Sequence, residues 1–136
     1  MAKTKVIQTT GTRKRSVARA TLVAGKGKVM VNDRLLEAYE PELARLRMQE
    51  PLILAGEMAK EVNIKVNVFG GGIQSSADAS RLAIAKALVQ HAGKTSKLKE
   101  EFLAYDRQLL VADVRFKEPC KPNVSKARKK RQKSYR

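Results

Sequence analysis

The excess positive charge of this chain is confined to its two ends, and that partition limits which part can fold. Residues 1–32 carry eight basic side chains and no acidic one, residues 33–116 carry twelve of each, and residues 117–136 carry nine basic side chains against Glu118 alone. A like-charged segment with little to bury cannot repay the entropy of ordering its backbone, whereas a balanced centre can. The net charge of +16 is therefore expected on two flanking segments around a neutral body, an arrangement suited to a polyanionic partner. With 43% hydrophobic residues in 136, the centre can build one small core.

The apolar spacing outlines that core. Residues 6–8 begin a strand that Thr9 to Thr12 interrupt. Ser16–Ala24 alternates, with Ala18, Ala20, Leu22 and Ala24 on one face and Val17, Arg19, Thr21 and Val23 on the other. The Gly25-Lys26-Gly27 turn signal predicts a hairpin to a second strand over 28–32. Asp33 caps a short helix over 33–39, and Pro41 opens another that Pro51 stops. Residues 52–54 form a short apolar strand, and 56–61 a connection. Val62–Phe69 alternates most clearly. Gly70-Gly71-Gly72 ends it, and Ser75 or Ser76 caps a long helix to Ala92 that buries Leu82, Ala83 and Leu88 and exposes Arg81, Lys86 and Gln90. A further helix over 96–104 turns Leu98, Phe102 and Leu103 inward, and 109–116 reads as a last strand. The mixture predicts an α/β or α+β fold around one sheet. Beyond Lys117, Pro119, Pro122 and a dense Lys/Arg run leave nothing to bury, so the end reads as an extended basic arm.

Few residues offer chemistry of their own. A single cysteine, Cys120, and a single histidine, His91, leave no disulfide and no Cys- or His-pair metal site. No apolar run approaches a membrane span, and the N-terminus has no secretory pattern, so a soluble intracellular protein without cofactor or small-molecule substrate is expected. Asp106, Arg107 and Asp113 are spaced to form ion pairs. Gly70, Gly71 and Gly72 before a helix make a candidate anion site, though three glycines also simply permit a sharp turn. The glycine–serine loop faintly resembles that of small-molecule kinases, which need a larger chain and a Lys–Asp pair. Arg13, Lys14 and Arg15, read as extended backbone, point to alternate sides and suit phosphates on both. Lys126, Arg128, Lys129, Lys130 and Arg131 form the densest cationic run, with Lys133, Tyr135 and Arg136 beyond. A DNA- or chromatin-binding protein would show the same charges.

Several ordered motifs together resemble one family. The run from Thr10 to Ala20, TGTRKRSVARA, resembles the opening signature of the universal small-subunit ribosomal protein S-nine family. The GKGKVMVN run from Gly25, the VNVFGGG run from Val66 and the ASRLAIAKAL run from Ala79 match its next elements, and the terminal QKSYR resembles its archaeal and eukaryotic branch. Two stretches depart from the family pattern: residues 103–108, and Arg131, where an aromatic often stands. The resemblance implies a non-enzymatic protein of the small-subunit head, on cytoplasmic ribosomes, bound to small-subunit ribosomal RNA and touching neighbouring head proteins. It implies the fold of the second domain of ribosomal protein S-five, a single mixed sheet packed with helices and a left-handed βαβ crossover. It implies a globular RNA-binding domain over 1–117 and an extended arm over 118–136 that reaches the peptidyl-site tRNA. On this chain the ribosomal RNA contacts would fall to Arg13, Lys14, Arg15, Arg19, Lys26, Lys28, Arg81, Lys126, Arg128, Lys129, Lys130 and Arg131. The tRNA contacts would fall to Lys133, Tyr135 and Arg136.

Overall fold

A computed structural model describes residues 6–93 and 97–135. Among these residues five strands form one sheet: β1 (Ile7–Arg13), β2 (Ser16–Ala24), β3 (Val29–Val31), β4 (Arg34–Leu35) and β5 (Val62–Phe69), in the order β1-β2-β5-β3-β4. All pairings are antiparallel except β3 with β5, so the sheet is mixed. The helices are α1 (Glu42–Ala55), α2 (Glu57–Lys60), α3 (Ile73–Ala92) and α4 (Leu98–Tyr105), with single 3₁₀ turns at Leu36–Ala38 and Arg107–Leu109.

The alternation in β2 and β5 sorts side chains between two faces. Ala18, Ala20, Leu22, Val62, Ile64 and Val66 are buried under the helices, while Arg19, Lys65 and Asn67 face outward. The covering element is α3, whose Ala77, Ala79, Ala83 and Ala87 are fully buried. Small side chains let the helix approach β1 closely. At Gly11 a Cβ would lie 2.7 Å from the Ala83 amide nitrogen, and the Thr9 hydroxyl donates to the Ala83 carbonyl at 2.8 Å. Gly11 is thus required by packing, inside a strand that runs unbroken through Thr9 to Thr12 rather than stopping there.

The fold corrects several expectations. β2 and β3 do not form a hairpin, because β5 inserts between them and pairs with both. The hairpin joins β1 to β2 through Lys14 and Arg15, with Lys14 at φ 51°. The three consecutive cations therefore sit at a tight turn, not along extended backbone. Pro51 lies inside α1 and is buried beside Ala44 and Met48 on the same helical face, so packing outweighs the missing hydrogen bond. Residues 52–54 continue that helix, and 57–60 form α2. The helix over 33–39 shrinks to β4 and one 3₁₀ turn. Gly72 caps α3, with Ser75 at the third helical position accepting the Gly72 amide hydrogen at 3.0 Å. Leu103 is 41% exposed, whereas Leu98 and Phe102 are buried as expected.

The last strand is absent from 109–116. Asp106 accepts the Gln108 amide at 2.9 Å and Asp113 accepts the Arg115 amide at 3.0 Å. Such local bonds divert backbone donors from a ladder. Leu109 is fully buried, but Val114 and Phe116 are 84% and 67% exposed. This stretch is a strap, pinned to the body at Leu109 and Asp113. Residues 110–135 contain no helix or strand, and almost all of them beyond Asp113 are exposed.

Candidate nucleic-acid interface

The basic side chains fall into two classes that composition cannot separate. The first class is consumed internally. Arg13, at the end of β1, has its guanidinium 3.2 Å from Asp113, 3.8 Å from Asp78 of α3, and donates to the Arg115 carbonyl at 3.3 Å. Arg47 of α1 reaches Asp78 at 2.7 Å. Arg81 of α3 bridges Glu50 of α1 and Asp106, the latter at 2.8 Å. Its side chain is only 12% exposed, which corrects its expected outward placement. Three arginines and four carboxylates thus tie β1, α1, α3 and the strap together.

The electrostatics of this clamp are self-consistent. Hydrogen bonds from the Arg115 side chain and backbone, then the charges of Arg115 and Arg13, hold the Asp113 carboxyl far below the usual carboxylate range against a smaller opposing effect of burial. The same contact raises the Arg115 guanidinium. At Asp106 burial pulls upward, but the Gln108 amide and the hydrogen bond and charge of Arg81 outweigh it together, so that carboxyl also lies low. Both acids stay ionised and matched to their arginines.

The second class has exposed heads. Lys14 and Arg15 are exposed at the β1–β2 turn. Lys26 and Lys28 flank the loop after β2, whose backbone is fixed by Asn63: its Oδ1 accepts the Lys26 and Lys28 amides at 2.9 and 3.0 Å. These two pairs lie at opposite ends of the nine-residue β2, so the structure does not gather them. At about 3.3 Å per residue they stand roughly 25–30 Å apart. Arg19 lies between them on the open face of the sheet. In the C-terminal segment, Lys126, Lys129, Lys130, Arg131, Lys133 and Tyr135 are exposed, and Arg128 pairs with Glu118 at 2.9 Å. Arg136 lies outside the described residues.

The Gly70-Gly71-Gly72 turn is filled from within. The Ser16 hydroxyl donates to the Gly70 carbonyl at 2.9 Å and lies 2.8 Å from the Ser75 hydroxyl. Gly70 and Gly71 have φ of 75° and 68°, and a Cβ on either would strike Arg15 or Ser16. Gly70 and Gly71 are therefore explained by backbone conformation and close packing against the β1–β2 turn, whereas Gly72 has open space around it. Among the described residues no group of histidine, cysteine or carboxylate side chains is disposed to hold a metal ion. No helix there is long and apolar enough to cross a membrane.

Sequence reasoning found the exposed cations from charge density, and it named Asp106 and Asp113 as ion-pair candidates. It missed Asp78 and Glu50 as partners, because they lie far in sequence from the arginines they meet. Arg107, the third residue named, is exposed and stands beside the pairs rather than in them.

Comparison with known proteins gives the family of the chain. The family model described as ribosomal protein S9/S16 matches residues 11–136. A protein of Methanococcus maripaludis strain C5, called small ribosomal subunit protein uS9, is 48% identical over 97% of this chain and 99% of its own length. Its namesake from Methanococcus vannielii is 47% identical over the same shares. The chain belongs to the ribosomal protein S9/S16 family, whose members are structural and non-enzymatic.

Proposed function

We propose that this member of the family is a structural constituent of the small ribosomal subunit. In this reading it binds small-subunit ribosomal RNA in the head through phosphate contacts and extends residues 118–136 toward the peptidyl-site tRNA during translation. The observation that carries the reading is the division among the cations. The exposed ones at the turns and in the C-terminal segment have almost no carboxylate partners, while those beside the core are neutralised. Unbalanced, solvent-facing cations are the groups that release counterions from a polyphosphate. The names of the relatives support the subunit assignment.

Within this reading, Lys14, Arg15, Arg19, Lys26, Lys28 and the run from Lys126 to Arg131 contact phosphates. Arg13 and Arg81 contribute by positioning, since their guanidiniums already hold carboxylates. Lys133, Tyr135 and Arg136 serve the tRNA. Residues 1–117 act as the body and 118–136 as the arm, and neighbouring head proteins cover part of the body on cytoplasmic ribosomes. The connection from β3 through α1 and α2 to the parallel neighbour β5 is assigned the left-handed course implied by the family fold, against the usual preference for right-handed crossovers. Selectivity comes from the shape of folded RNA, with phosphate contacts supplying most of the affinity.

The test uses chains lacking residues 129–136 and the full chain carrying Arg136→Glu. The truncated chain should keep its circular dichroism and still sediment with small subunits, while those subunits retain peptidyl-site tRNA less well. Arg136→Glu should weaken tRNA retention alone. Unchanged tRNA retention in both would remove the arm from the tRNA, and failure of the full chain to sediment with small subunits would remove the whole reading.

A further inference from the structure

The uncovered face of the sheet carries a site whose chemistry differs from that of the basic arm. Strand register lines up Thr10, Arg19 and Asn67 across β1, β2 and β5, all three exposed. One pleat further along β5, Phe69 is 52% exposed, and the Arg19 guanidinium lies 5.3 Å from its ring centroid. Beside this row an open groove of about 750 Å³ continues to the edge of β1, where Lys86 of α3 reaches the Thr10 carbonyl at 3.2 Å. Among the described residues lining the groove none is acidic, and no described carboxylate pairs with Arg19 or Lys86.

Phe69, the last residue of the central strand β5, is half exposed beside a guanidinium plane and the Asn67 amide, and it stands outside the buried cluster. The guanidinium holds the ring in place through its quadrupole. Flat π-faces accept unstacked bases, amides pair with base edges, and uncompensated cations receive the adjoining phosphates. We infer that the open face of β1, β2 and β5 binds an unpaired RNA nucleotide, its base stacked on Phe69 and Arg19 and its flanking phosphates on Arg19 and Lys86. The inference rests on the RNA-binding reading above and adds to it a base contact where that reading has phosphates alone. The absence of carboxylates from the groove favours a polyanion over a protein segment as occupant.

The experiment titrates the full chain into a single-stranded RNA of about eight nucleotides containing one 2-aminopurine, whose fluorescence falls when the base stacks. Wild type and Phe69→Tyr should quench it. Phe69→Ala, at a half-exposed position, should fold as wild type, lose the quenching and bind about 5- to 150-fold more weakly, the range expected for removal of one base stack. A chain with Arg128, Lys129, Lys130 and Arg131 all changed to Gln should bind more weakly yet still quench at saturation. Equal quenching and affinity in Phe69→Ala and wild type would overturn the inference. So would a loss of subunit incorporation in Phe69→Ala with RNA binding unchanged, which would assign the face to a protein neighbour. If no variant and no wild-type chain bound RNA at all, the failure would lie in the proposed function itself.

Discussion

The guanidinium of Arg13 stands 3.2 Å from the carboxylate of Asp113, a pair separated by a hundred positions in sequence. The first of three consecutive cations thus anchors the strap from which the C-terminal segment departs. Its neighbours Lys14 and Arg15 turn outward at the same end of the sheet. The origin of the basic segment is thereby fixed beside an exposed basic turn.

Asp113→Asn should release the strap without unfolding the sheet. Amide hydrogen exchange should accelerate over 106–116 and stay unchanged in β2 and β5. Unchanged protection at the Arg115 amide, which Asp113 accepts at 3.0 Å, would show that the strap is held by Leu109 alone.

The same clamp gives a pH dependence of known sign. The Asp113 carboxyl sits far below its ordinary 3.8 in the folded chain, chiefly through the hydrogen bond from Arg115. Its stabilisation is complete above that ordinary value and is lost as pH falls through the lower folded one. Between pH 7 and 5 the urea midpoint should show no contribution from this group. Between about pH 4 and pH 2 the wild-type midpoint should fall more steeply than that of Asp113→Asn. Parallel declines in the two chains would contradict the assignment.

Gly11→Ala should destabilise the chain by about 1–3 kcal/mol, because the added carbon meets the backbone of α3 rather than a flexible side chain. Gly72→Ala, at φ −118° with open space around it, should change stability by no more than about 0.5 kcal/mol. Urea denaturation of both checks the contrast, and equal effects would mean that α3 can move away from β1.

Truncating Leu109, the fully buried anchor of the strap, should cost about 2–4 kcal/mol as Leu109→Ala. Phe116→Ala, at 67% exposure, should leave stability within about 0.5 kcal/mol of wild type. A strap that added an outer strand to the sheet would show a larger loss at Phe116.

Elements set by local pattern are legible in the sequence. The alternation of Val62 to Phe69 and the helical run to Ala92 appear where the spacing put them, because Val62, Ile64 and Val66 recur on one strand face and Leu82, Ala83 and Leu88 are buried in the helix as their spacing requires. What failed was non-local. The Gly25-Lys26-Gly27 turn looks like a hairpin, but which strand occupies the place beside β2 is decided by β5, nearly forty residues on. Pro51 looks like a helix stop, yet its ring is buried on the α1 face that carries Met48. The exposed cations of the site were readable from charge density. The neutralisation of Arg13 and Arg81 was not, since their partners Asp78, Glu50, Asp106 and Asp113 come together only through the fold.

The division between exposed and internally paired cations is tested most directly by the salt dependence of RNA binding. Log affinity for a small-subunit head RNA fragment should fall linearly with log salt for the wild-type chain. Changing Lys126, Lys129, Lys130 and Arg131 to Gln should flatten the slope by about 0.7–0.9 for each phosphate no longer neutralised. Arg13→Gln with Arg81→Gln should leave the slope unchanged. An equal flattening in both variants would contradict the account, because it would place the clamped arginines on phosphates together with the exposed cations.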